Sequence, residues 1–110
     1  MAKLFKNSLG KIKRTRHFKY VLSFNNKLEN DCFKVFFAKP YEEGPKLGII
    51  ATKKMGNAVQ RNKCRRRIKS VSRKLFSNKD IIIIPKRKAN KSKFMDLELK
   101  LTEMVDKTTL

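Results

Sequence analysis

The residues best suited to chemistry in this sequence lie in one stretch, GNAVQRNKCRRRIKS at positions 56–70, which holds six basic and no acidic side chains. A helix there would place like charges four residues apart, as in Arg61 with Arg65 and Arg65 with Lys69, at a cost of roughly 0.2–0.5 kcal/mol per pair. A solvated helix face normally mixes charges of both signs. Because guanidinium groups donate paired hydrogen bonds to phosphate, we interpret this face as a phosphate-binding surface.

The charge of the whole chain supports the same interpretation. In 110 residues, 29 Lys and Arg stand against 9 Asp and Glu, which gives a net charge of +20. Repulsion among these charges disfavours the compact state, so we expect a polyanionic partner, with nucleic acid first and a membrane surface second. No apolar run approaches the roughly 20 residues of a membrane-spanning helix, and the N-terminal sequence lacks the apolar core of a signal peptide. We therefore expect a cytoplasmic protein without a membrane partner.

Groups for protein-based catalysis are scarce. The chain has one histidine, His17, and two cysteines, Cys32 and Cys64, without CxxC spacing. A nuclease acting by itself would need general acid–base groups or metal ligands, so we predict no catalytic residue and no metal ligand. Lying beside Arg16, His17 is interpreted as an RNA contact or a surface residue rather than a base. The cysteines are interpreted as buried thiols in a reducing compartment.

Several elements must position the basic stretch. Asn57 and Gln60 have the spacing of a capping box and predict a helix over 58–75, with an apolar stripe opposite the basic face. That stripe consists of Cys64, Ile68, Val71 and Leu75. The patterns also predict a helix over 15–23 capped by Thr15, strands at 33–38, 47–52 and 80–84, a further edge strand within 24–30, a hairpin loop at 41–46, and a helix over 93–106 behind a Ser92 cap.

This order of elements, α-β-β-β-α-β-α, predicts the α+β class, with helices packed on one mixed sheet as a two-layer sandwich. The sheet has four strands, or three if the segment 24–30 stays outside it. We find no internal repeat and no linker, so residues 1–110 are expected to form one domain. If the strands at 47–52 and 80–84 pair in parallel, the general rule gives a right-handed crossover.

The segment KKMGNAVQRNKCRRRIK, at positions 53–69, resembles the signature of the bacterial ribonuclease P protein component. The family pattern runs roughly Lys-Lys-x-Gly-Asn-Ala-Val-x-Arg-Asn-Arg-x-Lys-Arg-x-x-Arg. It is matched by identity at Lys53, Lys54, Gly56, Asn57, Ala58, Val59, Arg61, Asn62 and Arg66, while Lys63, Arg65 and Lys69 keep the charge but exchange Arg and Lys. Length, the basic N-terminus and the order of elements are also similar to the family.

The resemblance implies the protein subunit of a ribonucleoprotein endonuclease that removes the 5′ leader from precursor tRNA. Its catalytic centre and Mg²⁺ ions are expected on the RNA, with one monomeric protein per RNA. The family's left-handed crossover replaces the right-handed expectation. Contacts with the catalytic RNA are expected from Lys53, Lys54, Asn57, Arg61, Asn62, Lys63, Arg65, Arg66, Lys69 and Arg73.

The resemblance also implies a second RNA site, a central cleft between the sheet and the N-terminal helix that receives the leader. Single-stranded nucleic acid is commonly held by aromatic faces in a positive groove. Phe18 and Phe36 match cleft aromatics, with core packing as the alternative for both, and Leu22 stands where an aromatic is often found. Phosphate contacts around the cleft are expected from Arg14, Arg16, Lys86, Arg87 and Lys88.

Two other classes of protein stay open at this point. A non-enzymatic RNA-binding protein, such as a ribosomal protein, would share the charge and size but would not need the Asn-Ala-Val-x-Arg-Asn sequence. A DNA-binding protein would need a recognition helix, which in a helix-turn-helix follows a second helix, whereas here a strand precedes the basic helix.

Overall fold

A computed structural model describes residues 10–41, 45–53, 56–75, 79–91 and 94–106. Within these ranges the chain forms five strands and four helices. In chain order they are β1 (Gly10–Lys11), α1 (Thr15–Ser23), β2 (Lys27–Glu29), β3 (Phe33–Ala38), β4 (Lys46–Ile49), α2 (Ala58–Leu75), β5 (Asp80–Pro85), α3 (Arg87–Lys91) and α4 (Phe94–Asp106).

The strands form one mixed sheet in the order β1-β4-β5-β3-β2. At its centre, β5 pairs in parallel with β4, placing Ile81 opposite Leu47, and antiparallel with β3, placing Ile83 opposite Val35. At the edges, β1 pairs in parallel with β4, and β2 pairs antiparallel with β3. The α+β class, the mixed sheet and the parallel pairing around α2 are therefore confirmed, while the left hand of that crossover stays a prediction.

Among the described residues the sheet has five strands rather than four, because the two-residue β1 is too short to leave a periodic signal in the sequence. The predicted hairpin at 41–46 is wrong, since β5 lies between β3 and β4. The physical reason is burial: the run of isoleucines at 81–84 has a fully buried residue on each face, which is typical of a central strand. The short helix α3 was also missed.

Helices cover both faces of the sheet, which adds a third layer to the predicted two-layer sandwich. Ile81 and Ile83 of β5 belong to the cluster formed with α2 and α4. Ile82 points to the opposite face and packs with Val21 of α1. With nine residues, α1 spans only about 13 Å, so this second face is covered in part.

The basic helix α2 begins as predicted. The backbone N–H of Asn57 donates to Oε1 of Gln60, and the N–H of Gln60 donates to Oδ1 of Asn57, each at 2.9 Å. Gly56 just before them has φ 122°, in the region that favours glycine. The apolar stripe is confirmed where described, since Cys64, Ile68 and Val71 are buried. The side chain of Leu75 lies outside the described residues.

Of the other two predicted caps, Thr15 is wrong and Ser92 is not tested. Thr15 is the first residue of α1, the N-cap position belongs to Arg14, and no side-chain hydrogen bond caps this helix. A helix start without a capping side chain leaves its first N–H groups to other acceptors or to water. For α4, the predicted cap Ser92 lies outside the described residues.

Candidate nucleic-acid interface

Most of the described basic side chains of α2 face solvent. Among the described residues no ion pair joins a carboxylate to Arg61, Lys63, Arg65, Arg66, Lys69 or Arg73. Five of these six are exposed, and Arg61 is half-buried with an Nε–H that has no hydrogen-bond acceptor. The fork of Arg65 donates to Oδ1 of Asn62 at 3.1 Å, which holds one guanidinium in place. The row of cations is therefore neither turned inward nor neutralised within the described chain.

This basic face forms one wall of an open groove of about 840 Å³. The other wall comes from the edge of the sheet, and Leu47 and Ile49 provide apolar surface. A concave surface lined by charge of one sign focuses its field on a bound anion. The lining residues are Gly10, Lys11, Leu47, Ile49, Asn62, Arg65, Arg66, Lys69 and Arg73.

The remaining predicted contacts lie at the start of α2. Lys53 and Asn57 are exposed. Oδ1 of Asn57 accepts the capping hydrogen bond, so the predicted RNA contact of this side chain would be a hydrogen bond donated by its Nδ2 group. Lys54 lies outside the described residues.

The second predicted site lies on the other face of the sheet, between α1 and the strands. Backbone pairing aligns Gly48, Ile82, Phe36 and Lys27 in one row across four strands. The ring of Phe18 lies over Gly48, where an added Cβ would be 2.7 Å from Cε1 of Phe18. With strands about 4.8 Å apart, Gly48 and Phe36 are roughly 10 Å apart on this face. The structure thus brings half-buried Phe18 and Phe36 to the same open face, and half-buried Leu22 packs in the same cluster.

Lysines and one carboxylate stand at the β2 end of this cleft. Nζ of Lys86 lies 2.5 Å from Oε2 of Glu29, and Nζ of Lys27 lies 3.7 Å from Oε1 of the same carboxylate. The hydrogen bond from Lys86, with charge from Lys34 and Lys27, holds the pKa of Glu29 below its ordinary value despite some desolvation. Sequence reasoning had not singled out Lys27 and Lys34.

Lys88 lies apart from the cleft. Its Nζ donates to Oδ2 of Asp31 at 2.5 Å, and Nζ of Lys100 on α4 lies 3.5 Å from Oδ1. The hydrogen bond from Lys88 lowers the pKa of Asp31 to about 2. Lys88 is therefore on the α4 side of the sheet, whereas Lys86 is on the α1 side.

The other predicted cleft cations lie on helices. Arg14 and Arg16 are exposed at the start of α1, and Arg87 is exposed at the start of α3. Arg16 thus lies on the same helix as Phe18, and Arg14 occupies the N-cap position of that helix.

His17 is not a surface residue, so its interpretation as an RNA contact is wrong. Its side chain is 3% exposed, and Nε2 lies 2.5 Å from Oδ2 of the fully buried Asp80. The Asp80 carboxylate also accepts the backbone N–H groups of Tyr41 and Lys46 at 2.9 and 3.0 Å. This contact fixes α1 on the sheet, and an acid at the start of an apolar strand was the one sequence signal for it.

The described residues contain no group of three or more His, Cys, Asp or Glu side chains that could hold a metal ion. Cys32 and Cys64 are buried thiols outside any disulfide, as expected, and burial raises the pKa of the Cys64 thiol. None of the described helices is long and apolar enough to span a membrane.

An α+β sheet that carries a cationic helix beside a groove, with Phe18 and Phe36 together on its other face, has the features of a nucleic-acid-binding protein. The family model for ribonuclease P matches residues 7–109. The chain therefore belongs to the ribonuclease P protein family, whose members are protein subunits of an endoribonuclease and associate with ribonuclease P RNA.

Individual proteins show the same likeness. The ribonuclease P protein component of Mycoplasma capricolum is 30% identical over 99 residues, which cover 86% of this chain and 91% of that protein. The Staphylococcus aureus RNase P protein structure superposes with a TM-score of 0.82 at 26% identity, covering 93% and 97% of the two chains. For the Thermotoga maritima RNase P protein the TM-score is 0.78 at 25% identity, covering 91% and 98%. These matches favour the ribonuclease P family over the ribosomal and DNA-binding alternatives.

Proposed function

We propose that this subunit of ribonuclease P docks the basic face of α2 on the catalytic RNA and receives the 5′ leader of precursor tRNA in the cleft between α1 and the sheet. The observation that carries the proposal is a row of six cations on α2, none of which forms an ion pair with a carboxylate of the described chain. They are Arg61, Lys63, Arg65, Arg66, Lys69 and Arg73. Like charges at this spacing disfavour the helix, and phosphates of a folded RNA relieve that repulsion.

The groove beside α2 supports docking on structured RNA. Arg65 and Arg66 line it together with Lys69, so a backbone that follows the groove meets several cations in succession. Structured RNA is recognised largely by shape, phosphate and 2′-hydroxyl contacts, which a concave cationic surface can provide. Lys63 offers a point charge where the family pattern has the two-pronged arginine, so its contact is a simple attraction.

The cleft on the other face suits a single strand. Phe18 and Phe36 offer ring surfaces on which unpaired bases can stack in a sequence-tolerant way, as leaders of differing sequence require. Lys86 lies at its β2 end, and Arg14 and Arg16 are exposed at the start of the helix that carries Phe18. In this proposal Lys86 meets a phosphate of the leader, and Arg14 and Arg16 add positive charge at the start of α1.

We place the cleavage chemistry on the RNA, with its Mg²⁺ ions, and assign no catalytic side chain to the protein. The contribution of the chain is positional and electrostatic: it adds positive charge next to crowded phosphates and holds the leader of the substrate. We further propose one monomeric protein per RNA, acting in the cytoplasm.

Reconstitution tests this function. Purified chain is added to its cognate ribonuclease P RNA and end-labelled precursor tRNA at moderate salt and low Mg²⁺. We expect 5′ processing with both components, slow processing by the RNA alone, and none by the protein alone. An RNA whose rate is unchanged by the protein, or cleavage by protein alone, would contradict the proposal.

The cleft is tested separately by Phe18→Ala in the reconstituted holoenzyme. Loss of one stacking surface should weaken precursor tRNA binding about 5- to 100-fold while sparing mature tRNA, which lacks a leader. Val21→Ala is the matched control, since Val21 is fully buried on the same helix and its loss damages only the core. Equal losses for both tRNAs in Phe18→Ala would show that the ring is merely structural.

A further inference from the structure

One carboxylate stands where the proposed leader needs positive charge. Glu29, on the edge strand β2, accepts a hydrogen bond from Lys86 at 2.5 Å, with Lys27 at 3.7 Å from its other oxygen. Lys34 lies directly opposite Glu29 on β3. Three lysines therefore surround a single anionic group.

Strand register places this group on the cleft face. Glu29 pairs with Lys34, and Lys34 pairs with Ile84, which packs against the α1-side cluster. Residues directly opposite one another on paired strands share a face of the sheet. The neighbouring row on that face contains Lys27 and Phe36. Glu29 is thus next to the row of the proposed stacking ring.

The contact has little structural purpose. The side chains of Glu29 and Lys86 are 38% and 36% exposed, and ion pairs this open contribute little to stability. Carboxylate and phosphate oxygens accept the same hydrogen bonds from a lysine ammonium, and both are anionic near neutral pH. A phosphate can therefore exchange for the carboxylate without breaking the core.

We propose that Lys27, Lys34 and Lys86 form a phosphate subsite at the β2 end of the cleft, which Glu29 fills in the free protein and a backbone phosphate of single-stranded RNA fills in the complex. The inference rests on the proposed leader cleft and deepens it. Glu29 then acts as a specificity-determining residue, because a leader must reach the subsite and displace the carboxylate to gain this contact.

The chain contains its own control. Asp31 makes an equally short contact, 2.5 Å to Lys88, but on the α4 side with Lys100 as its second partner. Glu29→Gln and Asp31→Asn each remove one carboxylate of similar exposure that forms ion pairs with two lysines. They differ in which face of the sheet gains the free cation.

The experiment measures the Kd of the reconstituted holoenzyme for precursor tRNA and for mature tRNA. Glu29→Gln should bind precursor tRNA about two- to fivefold more tightly, with mature tRNA unchanged, because the competing anion is removed. Its log–log salt dependence should steepen by up to about 0.7, since the freed lysines exchange counterions for a phosphate. Asp31→Asn should change neither quantity, and Lys86→Gln should weaken precursor tRNA alone.

The outcomes separate two failures. If Lys86→Gln weakens precursor binding but Glu29→Gln leaves it unchanged or weaker, the displacement by phosphate is overturned while the leader cleft stands. If Phe18→Ala, Lys86→Gln and Glu29→Gln all leave the preference for precursor over mature tRNA unchanged, the leader cleft and this inference both fail. Thermal melting of each variant identifies unfolding, which would lower binding of both tRNAs together.

Discussion

Nε2 of His17 lies 2.5 Å from Oδ2 of Asp80, and this contact links α1 to the first residue of β5 inside the core. The same carboxylate accepts the backbone N–H groups of Tyr41, which follows β3, and of Lys46, the first residue of β4. The buried Asp80 thus holds in place both the helix that carries Phe18 and the backbone at Tyr41 and Lys46.

We predict that Asp80→Ala lowers the free energy of unfolding by about 3–5 kcal/mol, because a buried histidine and two N–H groups lose their acceptor. Urea denaturation followed by circular dichroism measures the change. Glu103→Ala, which removes an exposed acid from α4, should stay within about 0.5 kcal/mol. A loss below about 1 kcal/mol for Asp80→Ala would mean that this contact does not hold α1.

Gly48 should be required for the position of Phe18. A Cβ at residue 48 would lie 2.7 Å from Cε1 and 3.1 Å from Cζ of that ring, so Gly48→Ala must displace it. We expect a loss of about 1–3 kcal/mol in stability and a reduced preference for precursor over mature tRNA.

Gly10→Ala is the control for this substitution, since its Cβ meets only the flexible side chain of Lys46, at 3.2 Å. When Gly48→Ala is combined with Phe18→Ala, the loss of stability should be smaller than the sum of the two single losses, because the truncated side chain at residue 18 no longer clashes with the new Cβ. Additive losses would mean that Gly48→Ala acts through some other contact.

Acid titration should reveal the pair of Asp31 and Lys88. The folded-state pKa of Asp31 is about 2, below its ordinary value of 3.8. The stability from this carboxylate is therefore complete above about pH 4 and is lost as the pH falls through about 2. Urea midpoints of the wild type and of Asp31→Asn should differ slightly at about pH 5 and converge near pH 2. A difference that stays constant over this range would contradict the ion pair.

The two cysteines should be unreactive in the folded protein. Both are buried, and burial raises the pKa of the Cys64 thiol above its ordinary value of 9.0. Since the thiolate is the reactive form, a disulfide reagent at about pH 8 should modify neither cysteine until urea unfolds the chain. Because the folded pKa is raised, stability should also fall as the pH rises above about 9. Rapid modification of Cys64 in the native protein would contradict its place in the core.

Local signals were enough to predict α2 and its basic face. The capping box joins residues three apart, and the stripe from Cys64 to Val71 repeats at helical spacing. Both features therefore depend only on residues that are close together in the sequence. The family signature adds the assignment of the face to RNA.

Contacts between distant residues were not predictable in this way. His17 and Asp80 are 63 residues apart, and the sequence around either residue gives no sign that the two are in contact. Lys86 and Lys88 are only two residues apart in the sequence, yet the change from β5 to α3 places them against carboxylates on opposite faces of the sheet. The place of β5 between β3 and β4 likewise depends on which strand is buried most completely, which sequence order does not give.

The central claim is that the basic face of α2 binds ribonuclease P RNA, and the affinity of the chain for that RNA tests it most directly. The measurement compares two double variants that each remove two exposed positive charges. Arg65→Ala with Arg66→Ala removes charge from the groove, and Lys19→Ala with Lys39→Ala removes charge elsewhere. Arg61 is left unchanged because it is half-buried.

In filter binding over a series of salt concentrations, we predict that the Arg65 and Arg66 variant binds at least about tenfold more weakly, with a log–log salt slope smaller by about 1–2. The Lys19 and Lys39 variant should stay within about threefold of the wild type. Equal affinities for all three proteins, or equal losses in both variants, would show that α2 is not the RNA-binding face.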